Sequence, residues 1–463
     1  MFKINICRLL HYTVILFLLL PGFFMPGFRY VPILLPLILI EVLLCFNLPK
    51  YKDLLKAISS SIITKLFLIL WLVVIIGQSI LLLQEKTDAS KYFYMTYCVF
   101  TLSIILPYIA GVIIGVTIPY KRIVKSFFIL FSLIFIYGVI QFFGFKYHIS
   151  AFLNIDSILN NAQKTVFHVN PSIDNFFVGR LPRLKSTFIE PNQLASFIVS
   201  TMPILLYFFC NKNIIVREKK HRKIIFFLFL CLLLFNFILT QSPIFILFGI
   251  LISCLYFNIM HTISKKMFLI LFIICFIFLL CTYIFPFDGL FLNRIYKVLH
   301  AIQEKNIKEL VYADPSLGTR ITSFLNAYIL FTKNWFLGIG LGNMNLHLSM
   351  QLWNSSLPLT PEIIMRLHTG DNNVNASINT KLLCEIGIWG TLIYYYIFFK
   401  LNELLNKVKS TDPQKQNLFK TLQVIILAHI MLSFYQSSIY TYTIYIVTGI
   451  TVGLLYQNKK EIS

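Results

Sequence analysis

Apolar runs of membrane-spanning length recur throughout the chain, and this pattern constrains the fold more than any other feature. About 20 consecutive apolar residues cross a ~30 Å hydrocarbon core as an α-helix. Hydrophobic residues make up 58% of the 463 residues, whereas charged residues make up only 13%. A soluble domain usually carries about twice that share of charge. We therefore expect an all-α polytopic membrane protein.

The hydropathy pattern predicts about twelve transmembrane helices in a single membrane domain, residues 1–463. The predicted spans are residues 9–24, 30–48, 66–84, 94–118, 126–145, 193–210, 224–239, 244–260, 267–287, 380–399, 421–437 and 440–456. Two connections are long, residues 146–192 and 288–379. The second contains a short apolar stretch, 321–331, which predicts an interfacial helix because it is too short to span.

The distribution of basic residues predicts which side of the membrane each loop occupies. The loops on one side carry 24 Lys and Arg residues, whereas the short loops on the other side carry three. Short loops rich in Lys and Arg stay in the cytoplasm, so both termini are expected there and both long loops outside. The net charge of +22 is therefore interpreted as membrane topology and not as nucleic-acid binding.

The sequence predicts no metal or other cofactor. None of the nine cysteines lies in the two long loops, which disfavours a disulfide framework or a zinc site there. The same loops contain neither an Asp-x-Asp pair nor a His/Cys cluster. If a reaction at these loops released a phosphate group, arginine side chains would then have to neutralise its negative charge.

The end of the first long loop carries cations followed by a carboxylate, just before a predicted span. Arg180, Arg183 and Lys185 could clamp a phosphate or pyrophosphate through charge-assisted hydrogen bonds, and Glu190 could act as a base. The alternative is that the cations face lipid headgroups. Glu190 with Pro191 would then simply begin the helix.

The second long loop contains Arg320 and then the glycine-alternating run WFLGIGLG, residues 335–342. The run follows no strand and lacks the Walker lysine, so we reject a nucleotide phosphate loop. The glycines instead predict sharp turning or close approach of the backbone in a re-entrant segment. Arg320 either extends to lipid headgroups or meets a lipid-linked phosphate.

Further along, Arg366, His368 and Asp371 lie close together in the sequence. His368 and Asp371 could transfer a proton as a pair. A polar turn at Thr-Gly-Asp-Asn explains them equally well.

Three segments resemble the O-antigen ligase and polymerase superfamily. RLKSTFIEPNQLA at 183–195 resembles an arginine followed by PN-x-LA. Arg320 followed by WFLGIGLG resembles an arginine upstream of P-L-x-G-x-G-x-G. LLCEIGIWG at 382–390 resembles L-x-E-x-G-x-x-G, and the three occur in the family's order.

Members of that family act on undecaprenyl-pyrophosphate-linked glycans at the outer face of the inner membrane, without metal or nucleotide sugar. The resemblance implies a GT-C-like helical bundle. It also implies that Arg180, Arg183 and Arg320 contact the pyrophosphate of the glycosyl donor.

The departures from the family pattern favour a Wzy-type polymerase. Ligases typically show a His-Asn pair about nine residues before the third-segment glutamate, where this chain has Ala376 and Ser377. Ligases also tend to carry Asn-Pro-Asn where this chain has Glu190, Pro191 and Asn192. We expect the substrates, donor and acceptor, to be undecaprenyl-pyrophosphate-linked glycans in the bacterial inner membrane, with a chain-length regulator and a flippase as further partners.

The expected site comprises a proton acceptor, pyrophosphate-binding cations and supporting polar residues. The proton acceptor is Glu190 or, failing it, His368. The pyrophosphate-binding cations are Arg180, Arg183, Lys185 and Arg320. The supporting residues are Arg366, Asp371 and Asn192. Two other functions remain open. One is a ligase that transfers polymer to lipid A core, and the other is a flippase or transporter of lipid-linked oligosaccharide, which would be expected to carry more charge within its spans.

Overall fold

The computed structural model is helical throughout its described part, apart from one pair of very short strands. It describes residues 51–84, 94–149, 177–178, 181–182, 191–215, 218–240, 243–260, 300, 303–304, 309, 315–354, 359–368, 377–435 and 442–462. The strands β1 (Phe177–Val178) and β2 (Leu181–Pro182) pair antiparallel, with Phe177 opposite Pro182.

The helices are numbered in chain order within the described residues. They are α1 (Tyr51–Ser60), α2 (Ile62–Leu83), α3 (Leu106–Thr117), α4 (Tyr120–Lys146), α5 (Pro191–Cys210), α6 (Lys212–Ile215), α7 (Lys219–Leu239), α8 (Pro243–Met260), α9 (Pro315–Lys333), α10 (Met344–Trp353), α11 (Pro361–His368), α12 (Ile378–Lys407), α13 (Pro413–Leu432) and α14 (Tyr442–Ile462). A π-helical segment, Tyr94–Ile105, leads directly into α3.

Several helices are able to cross a membrane by length and composition. Within the described part of the chain, four helices are both long and apolar enough, namely Ile62–Leu83, Tyr120–Lys146, His221–Leu239 and Ile378–Lys407. Shorter apolar helices occupy Ser103–Thr117, Leu194–Cys210 and Phe248–Met260. The helical fold is therefore confirmed for the described residues, and these helices are compatible with a polytopic membrane protein, whereas the count of twelve spans stays a prediction.

The predicted spans that fall on described residues coincide with helices, several of which extend beyond the predicted bounds. Helix α13 begins at Pro413, well before the predicted start at residue 421, because Asp412 caps it and Pro413 occupies its first turn. Hydropathy misses such polar first turns. The predicted spans 9–24, 30–48 and 267–287 lie outside the described residues.

The bundle core contains a crossing of α3 and α14 in which glycines face one another. A Cβ built on Gly111 would lie 2.2 Å from the carbonyl oxygen of Ile446. One built on Gly449 would lie 2.0 Å from that of Tyr108. Both helices carry a second glycine four residues on, Gly115 and Gly453, also in backbone contact. Small residues at this spacing let membrane helices approach closely.

One end of the bundle is fastened by polar contacts between α1, α4, α13 and α14. Lys460 pairs with Asp53 at 2.9 Å, and the buried Lys415 pairs with Glu461 at 2.6 Å. The Tyr120 hydroxyl donates to the Asp412 carboxylate. Burial acts to raise the pKa of Asp412, but hydrogen bonds from Tyr120 and from backbone N–H groups outweigh it and lower that pKa overall. Asp412 therefore stays ionised as the N-cap of α13.

Helices α9, α10 and α11 form a separate small unit that packs on the start of α12. Its apolar cluster includes Ala327 of α9, Leu348 of α10, Leu367 of α11 and Cys384 of α12. The Cys384 thiol donates to the carbonyl of Ala327 at 3.1 Å. This α9–α11 unit carries Arg320 and the glycine run, so its seating on α12 positions the candidate site.

Candidate functional site

The glycine run forms a loop whose backbone is hydrogen-bonded to the backbone of α12. Ile339 N–H donates to the carbonyl of Cys384 at 2.7 Å, and Gly340 N–H donates to that of Glu385 at 3.1 Å. In the other direction, Ile388 N–H donates to the carbonyl of Trp335 at 2.9 Å. We call residues 335–342 the glycine loop. These three hydrogen bonds to α12 are made by the main chain.

These contacts require a break in α12 at Gly387. Its backbone adopts φ 65° and ψ −171°, which leaves the carbonyls before it available to the glycine loop. A residue with a side chain rarely adopts this conformation. A Cβ at Gly387 would also lie 2.3 Å from the carbonyl oxygen of Phe336. The glycine is therefore needed both for its conformation and for its size.

The glycine loop itself turns through three left-handed positions. Gly338, Gly340 and Gly342 have φ values of 75°, 94° and 72°. A Cβ at Gly338 would lie 2.6 Å from the carbonyl oxygen of Cys384. The sequence-based interpretation of these glycines, sharp turning and close backbone approach, agrees with this geometry. Glu385 is itself almost fully buried where the glycine loop meets α12.

Arg320 lies in the first turns of α9, half-buried, against Tyr435 at the end of α13. Its guanidinium carbon lies 3.8 Å from the centre of the Tyr435 ring, and Nη1 donates to the Tyr435 hydroxyl. The neighbouring Thr319 hydroxyl bonds that of Thr360 at 2.8 Å, which ties α9 to the residue preceding α11. The cation is thus held between the α9–α11 unit and the membrane bundle.

A polar network connects the start of α12 with the end of α13 next to Tyr435. Asn379 N–H donates to the carbonyl of Ser433 at 3.3 Å, and the Ser433 hydroxyl donates to the Asn379 side-chain oxygen at 3.1 Å. The Tyr395 hydroxyl lies 2.9 Å from that of Ser433. Lys381 and Glu385, one turn apart on α12, add a pair of opposite charges on one helix face.

His368 lies away from Arg320. It ends α11 and is exposed, with its ring edge-on to Trp353 at 5.4 Å. Thr360 precedes the first residue of the same helix, so His368 is about 12 Å along the axis from the residue that bonds Thr319. The structure brings Arg320 to Tyr435, and His368 to Trp353.

Several predicted site residues cannot be placed. Arg180, Arg183, Lys185, Glu190 and Asp371 lie outside the described residues. Asn192 is in the first turn of α5 and Arg366 is in α11, with only their backbones described. Among the described residues, no group of three or more His, Cys, Asp or Glu side chains is placed to hold a metal ion.

No protein-family model matches this chain. A search of curated proteins gives no significant match either. The superfamily resemblance therefore rests on the three sequence segments alone and stays a prediction.

Sequence reasoning missed Tyr435 and the polar residues behind it. Tyr435 is 115 residues from Arg320 along the chain, and no spacing pattern links the two. An aromatic residue at the end of a predicted span is common at a membrane interface, so it gave no specific signal. The packing of α9 on α12, and of α12 against α13, brings the pair together.

Proposed function

We propose that this protein polymerises undecaprenyl-pyrophosphate-linked oligosaccharide repeat units at the outer face of the bacterial inner membrane. One observation carries the proposal. The glycine loop and the α12 segment around Glu385, which resemble two characteristic segments of the polymerase and ligase superfamily, are joined in space by main-chain hydrogen bonds. The helix that presents Arg320 packs on that junction through Ala327. The glycine loop, α9 and α12 thereby together support the site that contains Arg320.

The reaction transfers the growing glycan from its lipid carrier to an incoming lipid-linked unit. An acceptor hydroxyl oxygen forms a bond to the anomeric carbon of the donor, and the bond from that carbon to the pyrophosphate oxygen breaks. The hydroxyl proton passes to a base, for which Glu190 and then His368 are the candidates. Undecaprenyl pyrophosphate departs with the bonding electrons. No external oxidant or energy source is needed.

Negative charge grows on the pyrophosphate as it departs, so cations fixed nearby beforehand stabilise the transition state. Arg320 is such a cation, since the Tyr435 ring and hydroxyl hold its guanidinium. Arg180 and Arg183 are proposed to act with it from the first long loop. A half-dry site increases the effect, because electrostatic interactions weaken in bulk water.

The first prediction concerns Arg320. We expect Arg320→Ala to reduce the rate of chain lengthening by roughly 10²–10³, by analogy with the loss of one oxyanion-hole donor. The measurement is the product ladder formed by purified protein in liposomes supplied with synthetic lipid-linked repeat units. Lys333→Ala is the matched control, because it removes an exposed cation from the other end of the same helix.

Wild-type ladders from Arg320→Ala would exclude this role for the residue. A deletion strain separates the polymerase from the other candidates. Loss of a polymerase leaves single repeat units on the acceptor, loss of a ligase leaves polymer unattached, and loss of a flippase leaves lipid-linked units on the cytoplasmic face.

A further inference from the structure

Tyr435 is fixed in place before any substrate binds. Its N–H donates to the carbonyl of Leu432 at 2.9 Å, which continues the backbone of α13 into the turn that carries it. Phe248 of α8 packs against its ring, with 6.1 Å between centroids. The adjacent Ser433 is bonded to Asn379 of α12. Three helices therefore hold this tyrosine.

The contact between Tyr435 and Arg320 has two parts. The guanidinium carbon lies 3.8 Å from the ring centre, within the range of a strong cation–π interaction. The same guanidinium donates a hydrogen bond to the tyrosine hydroxyl. The contact with the ring and the hydrogen bond to the hydroxyl together restrict a side chain that is otherwise flexible.

An aromatic partner has a consequence that a carboxylate partner would not have. A carboxylate that holds an arginine also cancels much of its charge and competes with an incoming anion. A neutral aromatic ring attracts the cation through its quadrupole and leaves the net charge unchanged. Tyr435 therefore holds Arg320 without adding a negative charge that would repel a phosphate.

We propose that Tyr435 is the positioning residue of the diphosphate site, and that it acts through Arg320. It fixes the guanidinium at the junction of α9, α12 and α13. The arginine side chain therefore loses its conformational entropy when the protein folds, and ligand binding does not carry that cost. The identity of the ligand as a prenyl-linked diphosphate rests on the proposed function. The positioning role rests on the geometry of the pair.

The test is a double-mutant cycle on full-length protein in lipid nanodiscs. The probe is geranylgeranyl pyrophosphate, and its binding is measured for wild type, Tyr435→Leu, Tyr435→Phe, Arg320→Ala and the Leu/Ala double variant. We expect Tyr435→Leu to weaken binding about tenfold and Tyr435→Phe about threefold, because phenylalanine keeps the ring and loses the hydroxyl. In the Arg320→Ala background, Tyr435→Leu should have no further effect.

Kinetics with the lipid-linked repeat unit distinguish positioning from simple damage to the fold. A positioning role raises KM for the donor and lets Tyr435→Phe recover most of the loss, whereas partial misfolding lowers kcat with KM unchanged. Tyr396→Leu is the control, because it replaces an exposed tyrosine on α12. Wild-type binding by Tyr435→Leu, or an equal loss with and without Arg320, would overturn the inference.

The same experiment separates the two proposals. If the wild-type protein binds the probe and the two residues are coupled, but the protein does not lengthen chains, the positioning role is supported and the polymerase function is rejected. Chain lengthening without coupling between the two residues would do the reverse. Absence of probe binding by wild type would overturn the positioning role.

Discussion

At the scale of single residues, Gly387 decides whether the candidate site can form. Its backbone conformation interrupts α12 in the middle of an otherwise regular helix, and the carbonyl of Phe336 occupies the space where a side chain would begin. Gly77 on α2 is the informative contrast. The nearest atom to its Cβ position is a side-chain atom of Leu337 at 3.9 Å.

We predict that Gly387→Ala lowers the melting temperature of the purified protein well below that of Gly77→Ala. The backbone conformation alone costs a residue with a side chain about 1–3 kcal/mol, and the overlap with Phe336 adds a cost of similar size. The measurement is thermal unfolding in detergent, followed by intrinsic fluorescence. Equal melting temperatures for the two variants would contradict the role assigned to Gly387.

The sequence was informative at this scale where a residue type is demanded by backbone geometry. Glycines that must turn sharply stand out, so the glycine loop could be predicted with its physical reason. Glu385 was found only as part of a resemblance, and its burial against the loop could not be foreseen. Tyr435 could not be predicted, because its role depends on a contact between helices and not on its neighbours in the chain.

At the scale of elements, the crossing of α3 and α14 depends on the absence of side chains. Gly111 and Gly449 each lie against the backbone of the opposite helix, so their spacing sets the distance between the two axes. Dispersion contacts along such a seam supply much of the attraction, since the hydrophobic effect does not favour one apolar neighbour over lipid. Separating the helices even slightly loses many of these contacts together.

We predict that Gly111→Ala and Gly449→Ala each lower the melting temperature. The decrease in the double variant should be smaller than the sum of the two single decreases. Each added methyl group overlaps with backbone atoms that cannot rotate away. Once the first methyl group has separated the helices, the second overlaps less with the opposite backbone. Gly77→Ala on α2 is the control, because its nearest neighbour is a side-chain atom at 3.9 Å. A drop for Gly77→Ala as large as for Gly111→Ala would argue against a special crossing.

Hydropathy located the long apolar helices among the described residues but not their partners. Residues that face lipid and residues that face another helix are equally apolar, so composition cannot tell them apart. Polar helix starts were also missed, as the early beginning of α13 at Pro413 shows. The buried Lys415 in that first segment is compatible with the bundle because it meets Glu461.

At the scale of the whole molecule, residues assigned by the sequence to one side of the membrane come together in space. Asn458 bonds the carbonyl of Lys409, and Lys460 bonds Asp53, all from segments predicted to be cytoplasmic. Arg320, predicted to lie outside, meets Tyr435 at the outer end of the predicted span 421–437. Which end faces the cytoplasm stays a prediction from the basic residues.

We predict that a single cysteine at position 333 reacts with a membrane-impermeant maleimide in intact spheroplasts, whereas one at position 409 reacts only after permeabilisation. Lys333 and Lys409 are both exposed, so each is accessible once the reagent reaches its side. The background is a variant in which the nine native cysteines are replaced. The reverse labelling pattern would invert the proposed orientation.

The crossing of α3 and α14 also has a consequence for biosynthesis. Gln457 of α14 bonds the carbonyl of Val116 of α3, a partner made 341 residues earlier. At about 5–20 residues per second, α3 waits roughly 20–70 s in the bilayer before its partner is synthesised. During that interval its glycine face must be covered by lipid, by another helix or by an insertion factor. This crossing therefore forms only after the residues between the two helices have been synthesised.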